Sequence, residues 1–270
     1  MYSLKREILR IPAPGREMKC VLLRPKAAGP VPGILWIHGG GYVLGMAAMA
    51  DFSVGKRLAR RFGAVVLSPE YRRAKEAPYP AAVDDCCSAL EYLHDHAGEL
   101  GVDPRRLIVG GESAGGGLAA AVCLWARDRG RIPVAYQIPL YPMLDCRDTE
   151  TSRNNHARVW NTRWNHWGWR WYLREDYGTD RVDKYASPAR ETDYTGLPPC
   201  RTYIEDGEPF YAETLAYVRA LNGAGVPAGV DVFHGATHGF DYLFWTKNAR
   251  QAKARLCAEM ADFFTAGQEG

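Results

Sequence analysis

The chain has 270 residues, of which 47% are apolar and 24% are charged, and its formal net charge is +3. This composition predicts a soluble globular protein with a full hydrophobic core, at a length that one α/β domain can occupy. The chain has no Lys/Arg block, which argues against nucleic acid and anionic membrane surfaces as partners. It also has no apolar stretch of membrane-spanning length, and no apolar signal-peptide segment follows Met1.

Short apolar runs alternate with amphipathic stretches, which is the pattern of a mostly parallel sheet covered by helices on both faces. The predicted strands lie at about 5–11, 18–24, 34–37, 64–67, 106–110, 134–140, 201–205 and 229–233. One predicted helix begins near Pro80, and three more cover about 115–129, 209–223 and 248–265. We therefore predict an α/β protein with a single domain over residues 1–270.

The alternation stops between about residues 145 and 185, where the sequence is polar, aromatic and irregular. We interpret this stretch as an insertion over the carboxyl ends of the strands, a small cap rather than a second domain. Within it, Trp160, Trp164, Trp167 and Trp171 are spaced to share one face of a helix. The spacing predicts that the four rings pack the cap onto the core, and it leaves open that one or two also line a substrate pocket.

Seven cysteines are scattered through mostly apolar runs, and neither a zinc-site spacing nor a C-x-x-C pair occurs. The pattern predicts buried, reduced thiols and hence a cytoplasmic protein. We expect no metal and no organic cofactor.

The most informative motif is Gly-x-Ser-x-Gly at residues 111–115. It follows a predicted strand and precedes a predicted helix, so it occupies a tight strand-to-helix turn. Such a turn projects the serine hydroxyl above the end of a sheet, and Gly111 and Gly115 leave room for neighbouring backbones to approach. We interpret Ser113 as a nucleophile.

A serine hydroxyl becomes an effective nucleophile when a base accepts its proton and an acid orients that base. His238 lies just after the last predicted strand and fits the chain order serine, acid, histidine, so it is the predicted base. The acid is expected after the strand at 201–205. Spacing places Asp206 and Glu208 equally well there, so both remain candidates.

The run His38-Gly39-Gly40-Gly41 directly follows the predicted strand 34–37. Glycine backbone at that point can turn its N–H groups toward a reacting carbonyl. The N–H of Ala114, the residue after the predicted nucleophile, would complete an oxyanion hole. The sequence thus predicts the parts needed for acyl transfer.

With these motifs in place, the chain resembles the hormone-sensitive-lipase-like family of α/β-hydrolases, which includes many microbial carboxylesterases. The likeness covers most of the chain and rests on the motifs His38–Tyr42, Glu70–Ala74, Pro78–Ala82, Gly101–Leu107, Gly111–Gly116, Leu197–Pro199 and His238–Phe240. The resemblance implies an α/β-hydrolase fold, in which helices flank a mostly parallel eight-stranded sheet and a small helical cap is inserted.

The resemblance also implies roles for individual residues: nucleophile Ser113, base His238, and oxyanion-hole donors Gly40, Gly41 and Ala114. It favours Glu208 as the acid, because the family usually has Asp-Pro where this chain has Glu208-Pro209. The longer glutamate side chain departs from the family pattern. The short N-terminal segment departs as well, since family members often carry extra N-terminal helices. A short N-terminal segment implies a reduced cap, and a reduced cap suggests a more open site or one completed by a partner subunit.

These observations predict a serine carboxylesterase that hydrolyses small, short-acyl esters through an acyl-enzyme. Hydrolysis of amides or short peptides is the first alternative, because the same triad performs both reactions. The second alternative is a non-catalytic ligand-binding protein on a hydrolase scaffold. The expected partner is a small-molecule ester, and a homodimer stays open.

Overall fold

In the computed structural model, which describes residues 1–27 and 29–265, the predicted strands form one sheet. The strands are β1 (Leu4–Ala13), β2 (Arg16–Pro25), β3 (Val31–Ile37), β4 (Val65–Pro69), β5 (Val102–Glu112), β6 (Val134–Leu140), β7 (Cys200–Glu205) and β8 (Ala228–Phe233). The α-helices are α1 (Val54–Phe62), α2 (Ala81–Asp95), α3 (Ala97–Leu100), α4 (Ala114–Arg129), α5 (Thr162–Leu173), α6 (Tyr211–Gly223), α7 (Lys247–Glu259) and α8 (Ala261–Thr265).

The order of strands in the sheet is β1-β2-β4-β3-β5-β6-β7-β8. β2 pairs antiparallel with β1 and with β4, and the pairings from β4 to β8 are parallel, so the predicted mostly parallel sheet is confirmed. Parallel strands end at the same edge, which is where open α/β sheets bind their ligands. The loops after β3, β5, β6, β7 and β8 meet there, and they contain the predicted site residues.

β5 lies near the middle of the sheet and carries the serine turn at its end. It is buried from Leu107 to Glu112, as is most of α4, because its apolar run can be covered on both faces. Gly110 permits close packing with β3, since a Cβ there would meet the Trp36 ring at 2.6 Å. The strand before Ser113 is therefore held rigidly on both sides.

Two helices were not predicted from the sequence, α1 and the short α3. α1 does have recognisable ends: the Ser53 hydroxyl accepts the N–H of Lys56 at 3.1 Å, and Gly63 ends the helix with φ 81°. Both are common helix boundaries. Its apolar residues Val54, Leu58 and Phe62 also recur at the helical period, so the sequence does carry a signal for this short helix.

Two predicted helix boundaries are wrong. α6 begins at Tyr211 rather than Pro209, because the preceding residues form a turn in which the Tyr211 N–H donates to the Glu208 carbonyl at 3.3 Å. The predicted helix 248–265 is divided at Met260 into α7 and α8. After that break, the buried ring of Phe264 stacks on Phe62 of α1, with centroids 4.6 Å apart.

The cap helix α5 lies between β6 and β7, inside the predicted insertion. It begins after Asn161, whose side-chain oxygen accepts the N–H of Trp164 at 3.2 Å. Its buried positions follow the helical period and are Asn165, Gly168, Trp169, Tyr172 and Leu173. The cap therefore packs on the core through this face.

The prediction that four tryptophans share one helix face is wrong, although three of them do pack on the core: Trp160 is buried in it, and Trp167 and Trp171 are partly buried against it. Trp160 precedes the helix, so it cannot share a helix face with the others. Trp164 is 44% exposed, and its ring and that of Trp171 both contact Trp167. The fully buried ring is Trp169. The spacing correctly indicated a helix, but the buried face depends on which side meets the core.

All seven cysteines are free and buried, as the sequence predicts. Among the helices of the described ranges, none combines the length and the apolar character that crossing a membrane requires.

Candidate active site

Ser113 occupies the tight turn between β5 and α4. Its backbone has φ 58° and ψ −121°, a conformation that side-chain-bearing residues rarely adopt unless the surrounding structure holds it. Two hydrogen bonds of 3.0 Å do so: the Ser113 N–H donates to the Leu140 carbonyl, and the Ser113 carbonyl accepts the Met143 N–H. The segment after β6 thus fixes the turn that presents the serine hydroxyl.

The loop after β3 lies directly against this turn. A Cβ on Gly39 would meet the Glu112 carbonyl oxygen at 2.8 Å and the Cβ of Ser113 at 3.2 Å. A Cβ on Gly115 would meet the His38 carbonyl oxygen at 2.5 Å. Side chains at these two positions would push the loop and the turn apart, so the glycines are what allows the two motifs to meet.

Ser113, His238 and Glu208 form a continuous hydrogen-bonded chain. The Oγ of Ser113 lies 2.9 Å from Nε2 of His238, and Nδ1 of His238 bonds Oε2 of Glu208. Because a carboxylate accepts hydrogen bonds, this partner puts the imidazole proton on Nδ1 and leaves Nε2 to accept from the serine hydroxyl. Glu208 is fully buried, and its Oε1 accepts the N–H of Glu205 at 3.2 Å.

Asp206, the other candidate acid, bonds a different histidine. Its Oδ2 lies 2.6 Å from Nδ1 of His234, and both side chains are exposed. The hydrogen bond from His234 holds the pKa of Asp206 below its usual range. The two carboxylates that spacing could not distinguish therefore form hydrogen bonds with different histidines, and Glu208 is the one bonded to His238.

Three backbone donors border the serine turn. Gly40 and Gly41 have φ 120° and 59°, and within the described residues no acceptor pairs with their N–H groups. The N–H of Ala114, the first residue of α4, has no partner in its own helix. The N–H of Leu44 donates to the Gly40 carbonyl at 2.9 Å and fixes the loop. Gly40 and Gly41 thus lie in the loop that contacts the serine turn, and Ala114 directly follows Ser113.

His38 supports this loop, a role that the sequence did not predict. Its Nδ1 lies 2.8 Å from the Gly39 carbonyl oxygen, and its ring stacks on Tyr71 with centroids 4.2 Å apart. The Tyr71 hydroxyl donates to the His38 carbonyl at 3.1 Å. Burial lowers the pKa of His38 to about 4, so the imidazole is neutral at pH 7 and Nδ1 can donate to the Gly39 carbonyl.

Three aromatic rings surround His238. Tyr141 and Phe210 make edge-on contacts, with centroids 5.0 and 5.3 Å from the imidazole centroid, and the Trp160 centroid lies 6.2 Å away. Trp160 also covers Gly41, where a Cβ would meet its ring carbon Cζ2 at 2.8 Å. One of the four spaced tryptophans therefore lines the site. No sequence signal identified Tyr141 or Phe210.

The cap rests on the same glycine loop. A Cβ on Gly168 of α5 would meet the Gly41 carbonyl oxygen at 2.9 Å. The Tyr42 ring stacks on Tyr172 of α5 with centroids 4.0 Å apart, and it lies 5.2 Å from the ring of Trp169. The cap helix therefore contacts the backbone that carries the unpaired donors.

Residues 1–27 and 29–265 contain no group of three or more His, Cys, Asp or Glu side chains that could hold a metal ion. The expectation that no cofactor is needed stays a prediction.

A family model described as alpha/beta hydrolase fold matches residues 34–242. The chain belongs to this family. The solved structure of a bacterial heroin esterase superposes on this chain with a TM-score of 0.93 at 37% identity, over 97% of this chain and 84% of that one. The likeness to hormone-sensitive-lipase-like hydrolases is therefore confirmed.

Two curated relatives carry esterase names. Carboxylic ester hydrolase LipN from Mycobacterium tuberculosis is 35% identical over 244 residues, which are 87% of this chain and 64% of LipN. Ethyl acetate hydrolase from Pseudomonas putida is 31% identical over 232 residues, which are 84% of this chain and 72% of that relative. The chain thus spans slightly less than two thirds of the length of LipN.

Proposed function

We propose that this hydrolase is a serine carboxylesterase that cleaves small, short-acyl esters. The observation that carries the proposal is the hydrogen-bonded chain from Ser113 through His238 to Glu208, next to unpaired backbone N–H groups. A nucleophile, a base with its orienting acid and an oxyanion site are the parts that acyl transfer requires. The esterase names of the relatives support the same reaction class.

In the proposed acylation step, the Oγ of Ser113 attacks the ester carbonyl carbon while Nε2 of His238 takes its proton. The N–H groups of Gly40, Gly41 and Ala114 stabilise the charge that develops on the carbonyl oxygen, and each such donor is typically worth about 3–4 kcal/mol. The ester C–O bond then breaks. The leaving alcohol takes the proton from Nε2, and the acyl group stays on Ser113.

In the proposed deacylation step, a water molecule attacks the acyl carbon and gives its proton to Nε2 of His238. The bond to Ser113 breaks, the acid leaves, and Nε2 returns the proton to Oγ. Glu208 accepts from Nδ1 throughout, so it holds the imidazole in one tautomer and stabilises the cation formed in each step. Its buried position supports this role, because a carboxylate interacts more strongly with a charge away from water.

The preference for short substituents is supported by Trp160. Its ring covers Gly41 and lies beside His238, so it fills space next to the reacting atoms. Substituents of the ester carbonyl that extend toward Trp160 have little room there. The relative named ethyl acetate hydrolase is, by its name, an enzyme for a small ester, which is consistent with the same preference.

We further propose that residues 145–185 act as a cap on a single hydrolase domain. The contact of Gly168 and Tyr172 with the glycine loop supports this assignment. A cytoplasmic location stays a prediction from the sequence, and a homodimer stays open.

Hydrolysis of p-nitrophenyl esters tests the proposed reaction. We expect turnover of the acetyl ester, with kcat/KM falling from acetyl to octanoyl, and much slower turnover of p-nitroacetanilide. Ser113→Ala is expected to reduce the rate to background, because losing such a nucleophile costs on the order of 10⁶-fold. Ser88→Ala, which alters a serine on α2, serves as the control. Equal rates for Ser113→Ala and wild type would contradict the proposal, and faster turnover of the anilide would favour an amidase.

The identity of the acid is tested by two isosteric substitutions. Glu208→Gln is expected to lower kcat by about 10⁴-fold, the typical loss when the orienting carboxylate becomes an amide. Asp206→Asn is expected to leave kcat nearly unchanged, because Asp206 bonds His234. The opposite ranking in steady-state kinetics would transfer the role to Asp206.

The role of Trp160 is tested by chain-length selectivity. Trp160→Ala is expected to raise the kcat/KM ratio for hexanoyl over acetyl esters, or for hexyl over ethyl acetate, by at least about tenfold, since each methylene accommodated is worth roughly 1–3 kcal/mol. Trp164→Ala is the matched control, because Trp164 is exposed on α5. Unchanged ratios in both series for Trp160→Ala would exclude a specificity role.

A further inference from the structure

Tyr141 is the first residue after β6, and its backbone is held in an unusual conformation. Its φ is 34°, which is rare for a bulky aromatic residue. The residue is buried, and its N–H donates to the Tyr203 carbonyl at 3.0 Å. Strain of this kind persists where surrounding contacts hold it, and it concentrates at functional sites.

Tyr141 stands inside the segment that holds the serine turn. The residue before it, Leu140, accepts the Ser113 N–H, and Met143 donates to the Ser113 carbonyl. The backbone on both sides of Tyr141 is thus bonded to the residue that carries the predicted nucleophile. A displacement of the Tyr141 side chain would therefore move backbone that is hydrogen-bonded to Ser113.

The ring of Tyr141 packs edge-on against the imidazole of His238, with centroids 5.0 Å apart and 75° between the ring planes. The hydrogen bonds at Nδ1 and Nε2 fix the direction of the imidazole, whereas the contact with Tyr141 restricts how its plane is turned. Edge-on geometry is one of the favoured arrangements of aromatic rings.

The hydroxyl of Tyr141 donates to Oδ1 of Asp241 at 2.6 Å, and both groups are buried. Asp241 follows His238 closely in the same loop, in the short turn Phe240–Tyr242. The carbonyl oxygen of Asp241 also accepts a hydrogen bond from Nζ of Lys253, on α7, at 2.5 Å. The loop that carries His238 is thus tied through Asp241 to β6 and to α7.

We propose that Tyr141 and Asp241 are positioning residues for the proposed ester hydrolysis. Their hydrogen bond joins the segment that holds Ser113 to the loop that carries His238, and so sets the separation of Oγ and Nε2. The inference rests on the proposed function, because this separation matters only if His238 takes the serine proton. Neither residue is assigned a contact with substrate. A displacement of about 1 Å at a reacting group can cost about 10²-fold in rate.

Tyr141→Phe tests the proposal, because it keeps the ring against His238 and removes only the hydroxyl. We expect kcat for p-nitrophenyl acetate to fall by about 10- to 100-fold while KM stays within about threefold. Inactivation by a fluorophosphonate is expected to slow by a similar factor, since it also requires proton transfer from Ser113 to His238. End-point labelling of Ser113 by the same reagent counts the folded, competent fraction, so a folding defect is corrected for.

Three further single variants and one double variant separate positioning from general packing. Tyr185→Phe is the matched control, because its hydroxyl also donates to a carboxylate, Asp128, at 2.6 Å, in an exposed cluster of charges. Asp241→Asn keeps an acceptor for Tyr141 and is expected to retain most of kcat. Asp241→Ala removes the acceptor, and combined with Tyr141→Phe it is expected to lose no more than either single variant.

The outcomes distinguish this inference from the proposed function. If wild type hydrolyses the ester and Tyr141→Phe matches Tyr185→Phe within about twofold in kcat, the positioning role is excluded. Losses that multiply in the double variant would also exclude it, because the two residues would then act independently. If wild type and Ser113→Ala are equally inactive, the proposed esterase function itself fails.

Discussion

The close approach of the β3 loop to the turn after β5 is the constraint on which the candidate site depends. Gly39 and Gly115 stand where a Cβ would meet backbone, so any side chain there would separate the unpaired N–H donors from Ser113. The strained backbone of Ser113 is in turn held by hydrogen bonds to the segment after β6. Backbone geometry is therefore the first requirement of this site. The chemistry of His238 and Glu208 is added to a position that glycine and main-chain hydrogen bonds have already fixed.

The cap packs on the backbone of the same β3 loop. Gly168 lies against the Gly41 carbonyl, Tyr172 stacks on Tyr42, and Trp160 covers Gly41 from the segment before α5. The segment that places Trp160 beside His238 thus also packs on the loop that carries the donors. Because interiors are close-packed, a change in the cap would shift that loop as well. For the proposed esterase, this packing would link the selectivity for substituents to the rate of the chemical step.

The sequence was sufficient where local residues determine the backbone. A glycine-flanked serine between a buried strand and a helix, and a glycine run after another strand, specify their own turns, so Ser113 was predictable. His238 followed from chain order. Spacing alone did not decide between Asp206 and Glu208, because the choice depends on how one turn after β7 directs two nearby carboxylates; only the family resemblance favoured Glu208. The prediction of the buried face of α5 failed for a related reason. Helical spacing does not say that Trp169 meets the core, because the packing of α5 against the neighbouring loop determines which face is buried.

The most direct test of the central claim locates the acyl group. The protein is mixed rapidly with p-nitrophenyl acetate, an activated ester for which we expect acylation to be faster than deacylation, and is quenched with acid during the first turnover. Mass spectrometry of the peptides then maps the acetyl group. We predict one acetyl group on the peptide that contains Ser113, formed at the rate of the p-nitrophenol burst and absent from Ser113→Ala. An acetyl group on a different residue, or turnover in Ser113→Ala at the wild-type rate, would contradict a Ser113 acyl-enzyme.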